Sequence, residues 1–165
     1  IQLGHRKIAY IGETERENRY RGYLDALSAE NITVYKGYVS NVTLSSEGGY
    51  LGAKKLLEQN CDATAYFCPN DMTAIGAMRA IQEAGYSIPG DISIISIDDI
   101  ETAQYLNPML TTVHIPIEEM GQMAAKTLID RIEGGHSLPM KINLPFYIAN
   151  RESCGPAHPL RQREE

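Results

Sequence analysis

An α/β fold built on a mainly parallel sheet is what this sequence predicts, and three observations predict it. Strand-like apolar runs alternate with helix-like stretches along nearly the whole chain, in the order βαβαβαβαβαβ. The runs at 63–68 (ATAYFC) and 92–97 (ISIISI) are apolar without alternation, the pattern of strands buried on both faces. The helix between them, 72–84, is joined to each by a short link. A strand–helix–strand unit of that kind is a right-handed parallel crossover.

Taken in order, 7–11 (KIAYI) reads as the first strand, closed by Gly12. A helix over 14–30 follows, with Tyr20, Tyr23, Leu24 and Leu27 at helical spacing. Arg19 lies near its start, where a cation opposes the helix dipole, so something else must offset the cost. Residues 32–39 read as a strand and 47–60 as a helix weakly started by Gly48-Gly49. In the central unit Asp71 is the expected N-cap of helix 72–84, and Gly85 with Pro89 ends it.

That helix is apolar nearly all round (Ala74, Ile75, Ala77, Met78, Ala80, Ile81, Ala84). One side faces the sheet, and a second copy of the chain is the expected cover for the other. A short helical segment at 101–106 leads to the β-branched strand 110–115 (LTTVHI), stopped by Pro116. The amphipathic helix 117–132 carries the stripe Met120, Ala124, Leu128 and Ile132. A last strand, 141–149, is interrupted by Pro145, which suits an edge or a bend. Residues 155–165 read as a disordered tail.

The two strands of the central unit end in polar residues, Asn70-Asp71 and Asp98-Asp99. Ligands of open parallel sheets bind outside the carboxyl ends of the strands, so these side chains stand at the expected edge. The structural alternative is that they cap a helix and shape a turn.

Composition narrows the function. A net charge of −6 and a pI near 5.2, with Lys and Arg scattered, speak against nucleic-acid binding by this chain. No apolar run reaches membrane-spanning length. Cys61, Cys68 and Cys154 are an odd count without metal-ligand spacing, which suits reduced thiols in a cytoplasmic protein and no metal or cofactor. Asp98-Asp99 could hold Mg²⁺ in an enzyme, but the further ligands and Lys of such a site are not evident, and no catalytic set appears.

Eight segments, in order and at matching spacing from residue 4 to 154, resemble the LacI/GalR family of bacterial transcriptional repressors. They are 4–12 (GHRKIAYIG), 19–23 (RYRGY), 69–77 (PNDMTAIGA), 88–93 (IPGDIS), 97–99 (IDD), 108–113 (PMLTTV), 119–121 (EMG) and 151–153 (RES). The resemblance implies a periplasmic-binding-protein-like fold of two subdomains with a sugar or other small effector in the cleft. It implies residues 1–115 as the C-terminal subdomain, 116–141 as a crossover helix that packs on the other subdomain, and 142–154 as the returning strand. Helix-turn-helix headpiece, hinge and most of the first subdomain would lie outside this chain, with operator DNA reached only through that headpiece. A chain so divided is expected to be less stable than its composition suggests, or to associate.

By the same resemblance Arg19, Asn70 and Asp98 are effector contacts, and their chemistry suits a polyol: a guanidinium donates, a carboxylate accepts, an amide does both. Family members often stack an aromatic on the ligand where this chain has 37–39 (GYV). Val39 cannot stack, so Tyr38 is the candidate substitute. Ile75, Met78, Arg79, Tyr105 and Leu106 are the implied homodimer interface. An exported sugar-binding protein of a transport system shares the fold; the three free cysteines and the LTTV and RES segments favour the repressor branch.

Overall fold

In a computed structural model the described residues are 1–159. Six strands form one sheet in the order β2-β1-β3-β4-β5-β6: β1 Ile8–Ile11, β2 Val39–Ser40, β3 Ala65–Phe67, β4 Ser93–Asp98, β5 Thr111–His114 and β6 Tyr147–Ala149. All neighbours are parallel except β5 and β6. The α/β reading holds, and β1 sits between the strand that follows it and the strand after that. The winding direction therefore reverses between β1 and β3.

Helix α1 (Asn18–Ala29) covers one face of the sheet, where Tyr10, Tyr23 and Leu27 are buried with Ile8, Tyr20 and Phe67 against them. Helices α2 (Ser46–Glu58) and α3 (Asp71–Glu83) cover the other, over Ala9, Ile11, Tyr66 and Ile94. Within the chain, a second side of α3 is covered by α2. Gly49 and Gly76 let the two backbones meet: a Cβ on Gly76 would overlap the carbonyl oxygen of Ser46, and one on Gly49 that of Thr73. Met78 is accordingly buried within this chain. Those glycines mark a close approach, and the start of α2 is secured by Ser45, whose hydroxyl accepts from Gly48 N at 3.0 Å.

Two strands are shorter than the sequence pattern suggests. Only Val39 of the expected strand 32–39 joins the ladder. Ile32 and Val34 pack on the aromatic cluster of α1, and Lys36–Tyr38 form a 3-10 turn. The last strand begins only at Tyr147, two residues past Pro145. Helix α4 (Ile117–Ile132) buries none of its residues, and Leu128 and Ile132 of its apolar stripe are 60% and 75% exposed.

The stretch 155–165 reads as a disordered tail, yet its first part is tied down; residues 160–165 lie outside the described residues. Ala157 N donates to Leu3 O, and Gly155 N to Ser93 Oγ at 3.0 Å. His5, buried, joins Thr64 Oγ1 through Nδ1 (2.8 Å) and Gly155 O through Nε2 (3.0 Å). Since a carbonyl only accepts, Nε2 carries the proton, Nδ1 accepts from the hydroxyl, and the neutral ring is fully satisfied.

Burial holds the His5 pKa below its ordinary 6.5. As pH falls below about 6.5 the unfolded chain takes up a proton that the folded chain refuses, so stability is lost through that window. It is fully present above it. The melting temperature of His5→Gln should fall less than that of the parent between pH 7.5 and 5; parallel curves would show that His5 does not carry this dependence.

Candidate functional site

A winding reversal such as that between β1 and β3 is where ligands of open parallel sheets bind, outside the carboxyl ends of the strands, and the side chains at that edge come from the turns that leave β1, β3 and β4. Glu17 starts α1: its carboxylate accepts from Arg19 N at 2.9 Å. The same carboxylate grips the Arg19 guanidinium in a fork, Nε at 2.8 Å and Nη2 at 2.9 Å. This is the offset for an arginine in the first turn of a helix. The pair shifts both groups toward their charged forms: the hydrogen bond from Arg19 lowers the Glu17 pKa, and Glu17 raises that of Arg19.

Arg19 Nη1 reaches across the switch point to Pro69 O at 2.7 Å, joining α1 to the end of β3. Three of its five N–H donors are thereby used. Two remain, one on each terminal nitrogen.

Asn70, rather than Asp71, is the N-cap of α3: Oδ1 accepts from Thr73 N at 2.9 Å. Its carbonyl oxygen is committed to the helix, so only the Nδ2 donors face outward. The amide does not do both, as the sequence suggested.

Asp71 is fully buried and structural. It accepts from Ser96 Oγ (2.5 Å), Thr112 Oγ1 (2.6 Å) and Ile100 N (2.8 Å), locking α3 to the ends of β4 and β5. Asp99 is also committed, with His114 Nδ1 at 2.9 Å and Arg151 Nη2 at 2.6 Å. Burial works against its charge, but these two partners outweigh it and hold its pKa below the ordinary value.

Asp98 differs from both. Among the described residues no hydrogen bond reaches its carboxylate. It is half-buried; that burial, with the Asp71 carboxylate nearby, raises its pKa against the opposing pull of Arg19. Its φ is +128° and that of Asp99 is +59°. Strained positions of this kind cost about 1–3 kcal/mol each and persist where the surroundings impose them.

Arg19, Asn70 and Asp98 are thus brought to one edge. Tyr38 is not. It precedes β2, and its hydroxyl donates to Asp62, which also pairs with Lys7 just before β1. That is the amino edge of the sheet, so Tyr38 is withdrawn as a stacking contact. Sequence reasoning missed Glu17, for which an acid two residues before Arg19 was the available signal. It also missed a cleft of about 400 Å³ lined by Thr14, Tyr20, Lys36 and Asn41, beyond the ends of β1 and β2. A groove of about 640 Å³ lies between α4 and residues 139–146, and none of the three edge residues lines it. Among the described residues no cluster suited to a metal ion occurs, and no helix is long and apolar enough to cross a membrane.

A guanidinium, an amide and a carboxylate gathered at the carboxyl edge beside the reversal point make the kind of place where open parallel sheets bind small molecules. Comparison with known proteins agrees: residues 1–154 match the periplasmic binding protein-like domain. The ribose operon repressor of Haemophilus influenzae is 43% identical over 137 residues, 81% of this chain and 41% of that protein. The transcriptional repressor PurR of Proteus mirabilis is 42% identical over 136 residues, 80% of this chain and 40% of that protein.

Among solved structures, a LacI family regulator from Enterococcus faecium with bound ribose superposes at a TM-score of 0.87. It is 35% identical and covers 95% of this chain and 60% of that one. A sugar-binding LacI family regulator of Escherichia coli complexed with phosphate gives 0.85 at 32% identity, over 94% and 57%. The chain belongs to the periplasmic-binding-protein-like family, as an effector-binding region of the LacI/GalR type. It spans less than half the length of the two repressors, and these relatives are regulators of transcription, not transport proteins.

Proposed function

We propose that this chain is the effector-sensing and dimerisation part of a cytoplasmic LacI/GalR-type repressor, without catalytic activity, and that its effector is a small sugar. The observation that carries this is Asp98: a half-buried carboxylate with no hydrogen-bond partner among the described residues, held at left-handed φ beside Arg19. A polyol supplies the missing donors. Neighbouring hydroxyls donate to Asp98 and accept from the two spare N–H groups of Arg19 and from Asn70 Nδ2.

Residues 1–115 would form one subdomain, 116–141 the crossover packed on a first subdomain, and 142–154 the return. The exposed apolar stripe of α4 supports this division. Effector binding would bias closure of the two subdomains and so the spacing of DNA-binding headpieces. For the homodimer, Ile75, Arg79, Tyr105 and Leu106 offer the contact surface with Met78 buried beneath. Gln82 Nε2 bonds Asn107 O at 2.8 Å, which makes α3 and the 105–107 loop one continuous patch.

D-Ribose is the first ligand to try, because one relative is named for its operon and one neighbour holds it. Calorimetry on the full-length protein should show binding, with Asp98→Asn weakening it about 10- to 100-fold, the range for one charged hydrogen-bonding group. An unchanged affinity in Asp98→Asn would overturn this assignment. Binding of another sugar but not ribose would redirect the specificity while keeping the site.

A further inference from the structure

We infer that Asp99 is a positioning residue for Asp98: it holds the end of β4 in a left-handed turn that keeps the Asp98 carboxylate unpartnered and presented at the carboxyl edge. The inference rests on the reading of Asp98 as the effector contact.

The β4–β5 ladder is regular up to Asp98, which stands opposite His114. There the chain turns through two successive non-glycine residues of positive φ, a conformation that side chains with a Cβ adopt reluctantly. Asp99 provides the hold. Its Oδ2 meets His114 Nδ1 at the end of β5, its Oδ1 accepts from Arg151 Nη2 on the segment after β6, and its backbone N reaches Thr112 Oγ1 at 3.4 Å.

The two partners are themselves fixed. Arg151 Nη1 donates to Leu110 O (2.8 Å) and its backbone N to Thr111 Oγ1 (3.0 Å), while the His114 ring stacks on Tyr147 at 4.6 Å between centroids. One residue on, Ile100 N is held by Asp71. The turn is therefore pinned on the residues that follow Asp98, while nothing pins the Asp98 side chain. Of the two adjacent acids, Asp99 is consumed in fixing the backbone, and Asp98 is left free.

The test uses Asp99→Asn, and Arg151→Lys, which keeps the charge and shortens the reach, in case the first does not fold. Without ligand, backbone ¹³C shifts and three-bond couplings should report positive φ at residues 98 and 99 in the parent and a return to extended φ at 98 in the variants. With D-ribose and the full-length protein, either variant should weaken binding tenfold or more. In an Asp98→Asn background the same changes should add less than twofold, because they act through Asp98.

Positive φ retained at 98 in the variants overturns the inference. So does an affinity that stays unchanged when φ reverts. Losses that simply add to Asp98→Asn would mean that Asp99 touches the ligand itself, which also overturns it. If the parent does not bind ribose, the ribose assignment alone fails, and the backbone measurement still decides whether Asp99 sets the Asp98 turn.

Discussion

Gly76→Ala is expected to cost about 3 kcal/mol or more of folding stability. The added Cβ would overlap the Ser46 carbonyl oxygen and crowd Tyr50 N, and both are backbone atoms. A crowded side chain can rotate away; a helix backbone must move as a whole. Overpacking of ordinary cores costs about 1–3 kcal/mol, and this contact falls at or beyond the top of that range. Against a total of about 5–15 kcal/mol for a domain, much of the margin goes. Urea unfolding followed by circular dichroism measures it. Gly22→Ala is the internal control: Gly22 lies in the exposed middle of α1 with nothing within 4 Å of the added carbon. Gly-to-Ala gains up to about 1 kcal/mol in a helix interior, so the two substitutions should have opposite signs. Equal effects would mean that α2 and α3 can separate freely.

Asp71→Ala should cost about 3–5 kcal/mol. Truncation leaves the hydroxyls of Ser96 and Thr112 and the amide of Ile100 without their acceptor in a buried place, and each orphaned donor costs roughly 1–3 kcal/mol before relaxation. Asp71→Asn keeps one acceptor oxygen and should lose less than half as much. The comparison of denaturation midpoints also separates this role from that of Asp98, whose removal should leave stability nearly unchanged because no protein donor depends on it. A loss from Asp98→Asn as large as that from Asp71→Ala would contradict the division of labour among the acids.

Much of the site was legible because it depends on chain order. Parallel strands place their carboxyl ends on one edge, so residues directly after strand-like runs had to stand there, and Asn70 and Asp98 do, while Arg19, well past the end of β1, came only from the resemblance. Tyr38 fails the same logic because the strand pattern before it does not form a strand. Residues 32–39 have strand composition, but an edge position and the apolar surface of α1 compete for Ile32 and Val34, and the surface wins. The cover of α3 escapes the sequence for a related reason. A pattern of apolar residues says that a helix is covered, and not by what.

Local periodicity and the handedness of crossovers were enough to dictate the α/β alternation, the buried central strands and the edge on which the polar residues gather. Which acid does what depends instead on contacts that no local pattern encodes. Asp71, Asp98 and Asp99 are the same side chain at adjacent strand ends, and long-range donors set their roles. Thr112, His114 and Arg151, 15 to 52 residues from the acids they reach, engage two of the carboxylates and leave the third without a partner.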